Sequence, residues 1–269
     1  MTFWTEYFSW NFQRSPEGFF SWQHLLAVTT AVLCTIGSAL FFGRRNREKT
    51  YAEKIRTLKI AALLLDGFEL LKLTVLVIIT GSFATLRSYY PLFLCSIPLI
   101  ILPVAAFSKG RLQQASLDFV LVFGMLGCVL GTFMAANIYS VFPVLHFEPM
   151  VSLITHNLSG FAALYIGISG LATMKKENTV LSLGILGAFM TVAEIVNVIH
   201  SGIGYQDNYM FLTRSDGTPF LIVERWFGAG SPGYTLAVAL LMWGYLLGFI
   251  VVFRALSRSR GRSRPLSRA

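Results

Sequence analysis

Charge is what this chain has least of. Only 13% of its 269 residues are Asp, Glu, Lys or Arg, against 55% hydrophobic. That is about half the charge of a soluble domain, so a soluble globule is excluded. Cysteine is scarce as well: Cys34, Cys95 and Cys128 all fall inside apolar stretches, which argues against a disulfide framework. The few histidines and cysteines include no pair at the short spacing of zinc motifs, so no metal site is expected, nor any other cofactor. The first 18 residues, MTFWTEYFSWNFQRSPEG, lack the basic start and small-residue cleavage site of a secretory signal, so the first apolar run is expected to stay in the mature protein. No nucleic-acid module, internal repeat, linker or second domain stands out.

What the chain does have is long apolar runs. Seven can be marked, at about 20–42, 59–80, 91–107, 115–138, 151–174, 179–201 and 232–254, each near the length a helix needs to cross about 30 Å of hydrocarbon. The pattern predicts an all-α, polytopic membrane protein: a seven-helix bundle over 1–255 and a basic tail over 256–269. Basic residues orient it. The first, third and fifth connections and the C-terminal tail carry sixteen Lys and Arg, and the opposite side carries four: Arg14, Arg87, Arg214 and Arg225. The bias predicts an outside N-terminus and a cytoplasmic C-terminus. It also accounts for the net charge of +9 without a nucleic-acid partner. The long connection 202–231 is rich in Gly, Asn, Asp and aromatics, and is expected to form an ordered cap on the outer side.

Ionisable groups inside such helices are costly and need a partner or a task. Asp66, Glu69 and Lys72 recur at intervals of three on the second run, a spacing that fits either a Glu69–Lys72 ion pair or ion and proton coupling by the carboxylates. Glu194, Asn197 and Ser201 share a face of the sixth run with His200 nearby, and interhelical hydrogen bonding or a site role both fit. Depth narrows the choice. His24, Cys95 and His156 each lie four or five residues into runs that enter from the outside, roughly 6 to 8 Å below the interface at 1.5 Å per residue, and His200 reaches that level from below. A thiol becomes a nucleophile when a histidine takes its proton. Cys95 as nucleophile, His156 as base, and Asn197 or Glu194 orienting an imidazole is the chemistry these residues can make. A lone His24 also reads as a satisfied interfacial residue, and Cys95 as a packed small hydrophobe.

Three stretches carry a resemblance: Tyr90-Pro91-Leu92-Phe93-Leu94-Cys95-Ser96-Ile97; Phe147-Glu148-Pro149-Met150-Val151-Ser152-Leu153-Ile154-Thr155-His156-Asn157; and Asp207-Asn208-Tyr209-Met210-Phe211-Leu212 with Phe227-Gly228-Ala229-Gly230-Ser231-Pro232-Gly233-Tyr234. Across nearly its whole length the chain resembles the bacterial YwaF-like integral membrane proteins, which are grouped with the eukaryotic transmembrane protein 164 family. The resemblance implies residence in a bacterial cytoplasmic membrane. The eukaryotic relatives are described as acyltransferases that move a fatty acyl chain between phospholipids, with a cysteine and a histidine as the proposed active centre. Carried over, these are Cys95 and His156. The Asn208-Tyr209 pair is a family mark without an assigned role. Where relatives often have a polar residue, commonly histidine, this chain has Phe93.

The resemblance implies that His156 deprotonates Cys95, the thiolate attacks a lipid ester, and a lysophospholipid hydroxyl or water accepts the acyl group. Membrane lipids are then the partners, and Asn197 or Asn208 the expected oxyanion donor. A rival of another class, a transporter, channel or small-ligand receptor, would use the same outward polar pocket together with Asp66, Glu69, Lys72 and Glu194.

Overall fold

The structure of the protein is a computed structural model and describes residues 7–8 and 14–262. Among the described residues it is helical, with no strand. Each of the seven apolar runs is occupied by a helix: α1 (Trp22–Asn46), α2 (Tyr51–Thr80), α3 (Pro98–Phe107), α4 (Gly110–Phe133), α5 (Phe147–Ser169), α6 (Lys176–Gly202) and α7 (Pro232–Arg262). Five of these, α1, α4 with its one-turn extension to Tyr139, α5, α6 and α7, are long and apolar enough to cross a membrane. The other two fall short for different physical reasons. In α2 the charges of Asp66, Glu69 and Lys72 interrupt the apolar run, and α3 has only ten residues. The end of the basic tail, residues 263–269, lies outside the described residues.

Local signals set the helix ends. Ser21 caps α1 by accepting the His24 amide. Thr50 and Glu53 form a reciprocal capping box at the start of α2. Gly81 ends that helix at φ +64°, a conformation that costs glycine nothing. The chain then departs from the expected third helix. Residues 83–89 form a 3-10 turn, and the next helical turn closes on Phe93, whose amide donates to Ser96 Oγ at 3.1 Å while Ser96 Oγ donates back to its carbonyl at 2.9 Å. Only at Pro98, which has no N–H to lose at a helix start, does α3 begin. Cys95 therefore sits in a turn ahead of a short helix and not four residues into a long one, which corrects the depth assigned to it above. Irregular backbone within a membrane protein persists where it is buried in protein or lines a cavity.

The chain forms two compact units, 1–172 and 173–269. In the first, α5 packs against α1, α2 and α4, and α4 also packs on α3. Burial follows this order: 61% of the apolar window of α5 and 56% of that of α4 are buried, against 17% for α1. Small residues let these helices approach. A Cβ on Gly43 of α1 would fall 2.7 Å from Ile168, and one on Gly160 of α5 would fall 2.5 Å from the Cys128 sulfur on α4. Polar groups tie one end together, where Asn46 donates to Thr57 and Tyr165, and Tyr165 donates to the Lys54 carbonyl, each at 3.0 Å.

In the second unit the 202–231 connection is ordered, as its composition predicts. It contains a 3-10 turn at Tyr209–Phe211 and a helix at Leu221–Phe227. Asn208 accepts from Thr213 and donates to the Arg214 carbonyl and Asp216, and Glu224 accepts the Ser215 amide. Tyr234 and Thr235, at the start of α7, donate to the carbonyls of Phe211 and Leu212.

The close contact at Gly160 and the open space beside Gly184 of α6 predict opposite outcomes for the same substitution. Gly160→Ala should lower the thermal midpoint of the detergent-solubilised protein, with overpacking costing about 1–3 kcal/mol. Gly184→Ala should hold or raise it, by up to about 1 kcal/mol of helix propensity.

Candidate functional site

One face of α5 decides where the chemistry sits. Glu148, Ser152, Thr155, His156 and Ser159 recur at helical spacing and line a cavity of about 600 Å³ within the first unit. The opposite wall holds Glu69 and Lys72 of α2, and the 89–98 segment contributes Tyr89, Phe93, Cys95 and Ser96. Cys95 and His156, singled out by sequence, thus line one cavity.

The bond made by the other ring nitrogen fixes the orientation of His156. Its Nδ1 lies 2.7 Å from the Ser152 carbonyl, which can only accept, so Nδ1 carries the proton and Nε2 holds a lone pair. That Nε2 is buried and has no hydrogen-bond partner among the described residues. A buried ring nitrogen with no partner is free to accept a proton.

α4 seats both groups. The His156 ring lies directly on Gly131, where a Cβ would fall 1.9 Å from Cδ2 and 2.1 Å from Nε2. One turn earlier, a Cβ on Gly127 would lie 3.0 Å from Cys95 Cα and 3.3 Å from its Cβ. Residues four apart share a helix face at one turn's rise, about 6 Å. The two glycines seat the Cys95 backbone and the His156 ring one turn apart along α4.

Charge lines the rest of the cavity. Lys72 Nζ is 2.8 Å from Glu69 Oε1, and it stands 5.2 Å from the centre of the Tyr89 ring. Burial, and then the neighbouring Glu148 carboxylate, raise the Tyr89 phenol above its ordinary range, so it stays protonated and donates to Glu148. The ion-pair reading of Glu69 and Lys72 is the one observed, and the pair belongs to the Cys95 cavity. Asp66 does not line it; its Oδ1 is buried without a hydrogen-bond partner among the described residues.

A scan of family models adds what geometry alone does not: the TMEM164 family model matches residues 19–249. The chain belongs to the TMEM164 family. No curated protein and no solved structure matches it. In this TMEM164 family member several residues expected at the site are occupied elsewhere. His24 is fully buried, but its Nδ1 accepts the Phe20 amide, its Nε2 meets the Thr132 carbonyl at 3.2 Å, and it does not line the cavity. Its ring packs on Tyr139 at 4.0 Å, so His24 joins the start of α1 to the end of α4. In the second unit, Asn197 exchanges two hydrogen bonds with the backbone of Tyr209, at 2.7 and 3.1 Å. Tyr209 is itself buried, His200 pairs with Asp207, and Asn208 organises the loop described above. Both asparagines considered as oxyanion donors therefore spend their amides on the connection. Glu194 Oε2 is buried and has no hydrogen-bond partner among the described residues.

Sequence reasoning passed over Glu148 and Tyr89, although Glu148 lies within a segment that carries the family resemblance and Tyr89 adjoins another. It also missed Gly127 and Gly131, whose spacing of four on α4 was a visible signal. The fourth histidine, His146, caps α5 by accepting the Glu148 amide at 3.3 Å and stacks on Phe142.

Gly131→Ala should leave α4 helical by circular dichroism, yet push the imidazole from its place. The rate at which diethyl pyrocarbonate modifies His156, read by mass spectrometry of its peptide, should then change. An unchanged rate would show that the ring does not depend on this glycine.

Proposed function

We propose that this TMEM164 family protein is a membrane-embedded lipid acyltransferase or acyl hydrolase that works through Cys95 and His156. The observation that carries the reading is that His156, whose Nε2 is buried and unpartnered, lines the same cavity as Cys95. The steps follow from the groups present. His156 Nε2 takes the Cys95 proton, and the thiolate attacks the carbonyl carbon of a phospholipid ester. The tetrahedral intermediate expels the lysolipid alkoxide, which takes the proton from Nε2, and the acyl chain remains as a thioester on Cys95. A lysophospholipid hydroxyl or water, deprotonated by His156, then attacks the thioester and restores the thiol. The Ser152 carbonyl keeps the ring in the required tautomer throughout and stabilises the imidazolium.

The setting belongs to the same reading. The chain crosses the membrane seven times over residues 1–255, with α2 and α3 as the two crossings that polar residues and a broken start disguise. Its N-terminus is outside, and its basic tail, 256–269, is cytoplasmic. A bacterial cytoplasmic membrane is the site, in line with the resemblance to YwaF-like proteins. A lipid substrate also suits a second feature of the first unit, an apolar groove of about 1010 Å³ lined by Leu26, Ile60, Leu64 and Leu153. It has the character of a place for acyl chains.

Two measurements test this. A fluorescent-acyl phospholipid in vesicles should transfer its chain with the wild type. Cys95→Ala should abolish transfer and His156→Gln should reduce it by about 10²- to 10⁴-fold, the range for loss of a general base; retention of activity in Cys95→Ala rules out the nucleophile. For topology, a membrane-impermeant maleimide should label Gln206→Cys from outside and Lys176→Cys only after the membrane is opened, and the opposite pattern would invert the orientation.

A further inference from the structure

We infer that Lys72 is the electrophilic element of this site, donating from its ammonium to the substrate carbonyl oxygen as that oxygen becomes negative. The inference rests on the Cys95–His156 reading and supplies the part that reading lacks. Attack of the thiolate moves the carbonyl π electrons onto oxygen, and a dry site needs a fixed donor to meet them. Asn197 and Asn208 are committed to the 202–231 connection. Within the cavity, Ser96 Oγ donates to the Phe93 carbonyl and Thr155 Oγ1 to the Ser152 carbonyl, while Ser159 Oγ has no partner among the described residues but carries no charge to match an oxyanion.

Lys72 is different in three respects. It is buried, 8% exposed, in an apolar helix where a cation is expensive, and it faces the cavity that holds Cys95 and His156. Its ammonium has three N–H groups, and Glu69 accepts from it at 2.8 Å. The other two have no hydrogen-bond acceptor among the described residues. Glu69, three residues earlier on α2, steers the ammonium, while the Tyr89 ring 5.2 Å away supports the cation with its face. Lys72 lines the cavity, where an oxyanion can accept from its ammonium. The charge then follows a closed path: the proton goes from Cys95 to His156, the negative charge from sulfur to the carbonyl oxygen beside Lys72, and on collapse to the leaving alkoxide, which His156 protonates.

The test separates attack on a carbonyl from reactivity of the thiol. The full chain in phosphatidylcholine vesicles is given a fluorescent-acyl phosphatidylcholine, and the hydroxylamine-labile acyl group on the Cys95 peptide is followed over time. In parallel, the same peptide is read for alkylation by iodoacetamide, a displacement at saturated carbon that develops no oxyanion. Because Lys72→Met strands the Glu69 carboxylate, the double variant Glu69→Gln/Lys72→Met is measured beside it. Both should lose acylation by about 10²-fold or more, the scale of one oxyanion donor. The double variant, which removes both charges, should alkylate at close to the wild-type rate, and Lys72→Arg should recover part of the acylation. Acylation retained in both variants overturns the inference, as does alkylation of the double variant that falls in step with acylation. A wild type that never acylates Cys95 overturns the nucleophile reading as well, so the two failures are told apart.

Discussion

The site depends on an imidazole lying flat against a helix that has no side chain there. His156 occupies the space that any residue but glycine would fill at position 131, and the carbonyl of Ser152 holds its Nδ1 proton. Those two contacts leave Nε2 buried and without a hydrogen-bond partner among the described residues. Gly127 repeats the device one turn away and lets the backbone of Cys95 come within van der Waals contact of the same helix. Close approach through small residues is how membrane helices pack without a hydrophobic driving force between them. Here the same approach seats the Cys95 backbone and the His156 ring one turn apart along α4.

The cost of that arrangement is visible around it. The first unit places Glu69, Lys72 and Glu148 in one cavity, and the backbone abandons helical geometry between Tyr89 and Ile97 to bring the thiol there. Pairing of Lys72 with Glu69 and of Tyr89 with Glu148 reduces the penalty of burying charge, without removing it. Such groups are retained in an apolar bundle where chemistry uses them. The second unit shows the contrasting use of polar residues: Asn197, His200 and Asn208 hold an ordered connection together through bonds that leave little free.

How much of this was legible in the sequence varies with the physical signal. Apolar runs located α1, α2 and α4 to α7, because burial or lipid exposure of a whole helix leaves a long record in composition. The start of α3 was not legible, since Tyr89 to Ile97 is apolar enough to read as helix and the turn is decided by one hydroxyl, that of Ser96. Cys95 and His156, grouped by depth, line one cavity, but depth recruited His24 too, because it carries no information about azimuth. His24 faces Thr132 and Tyr139 instead. The Glu69–Lys72 pair was legible from its spacing, whereas its place in the Cys95 cavity was not, because that depends on how α2 meets the 89–98 segment.

Peptide mass spectrometry after incubation with a diacyl phospholipid tests the central claim most directly. The account predicts one acyl chain on the Cys95 peptide, removed by neutral hydroxylamine and absent from the Cys34 and Cys128 peptides. Acyl transfer that proceeds with Cys95 unmodified at every time sampled, or with the acyl group on another residue, would contradict it.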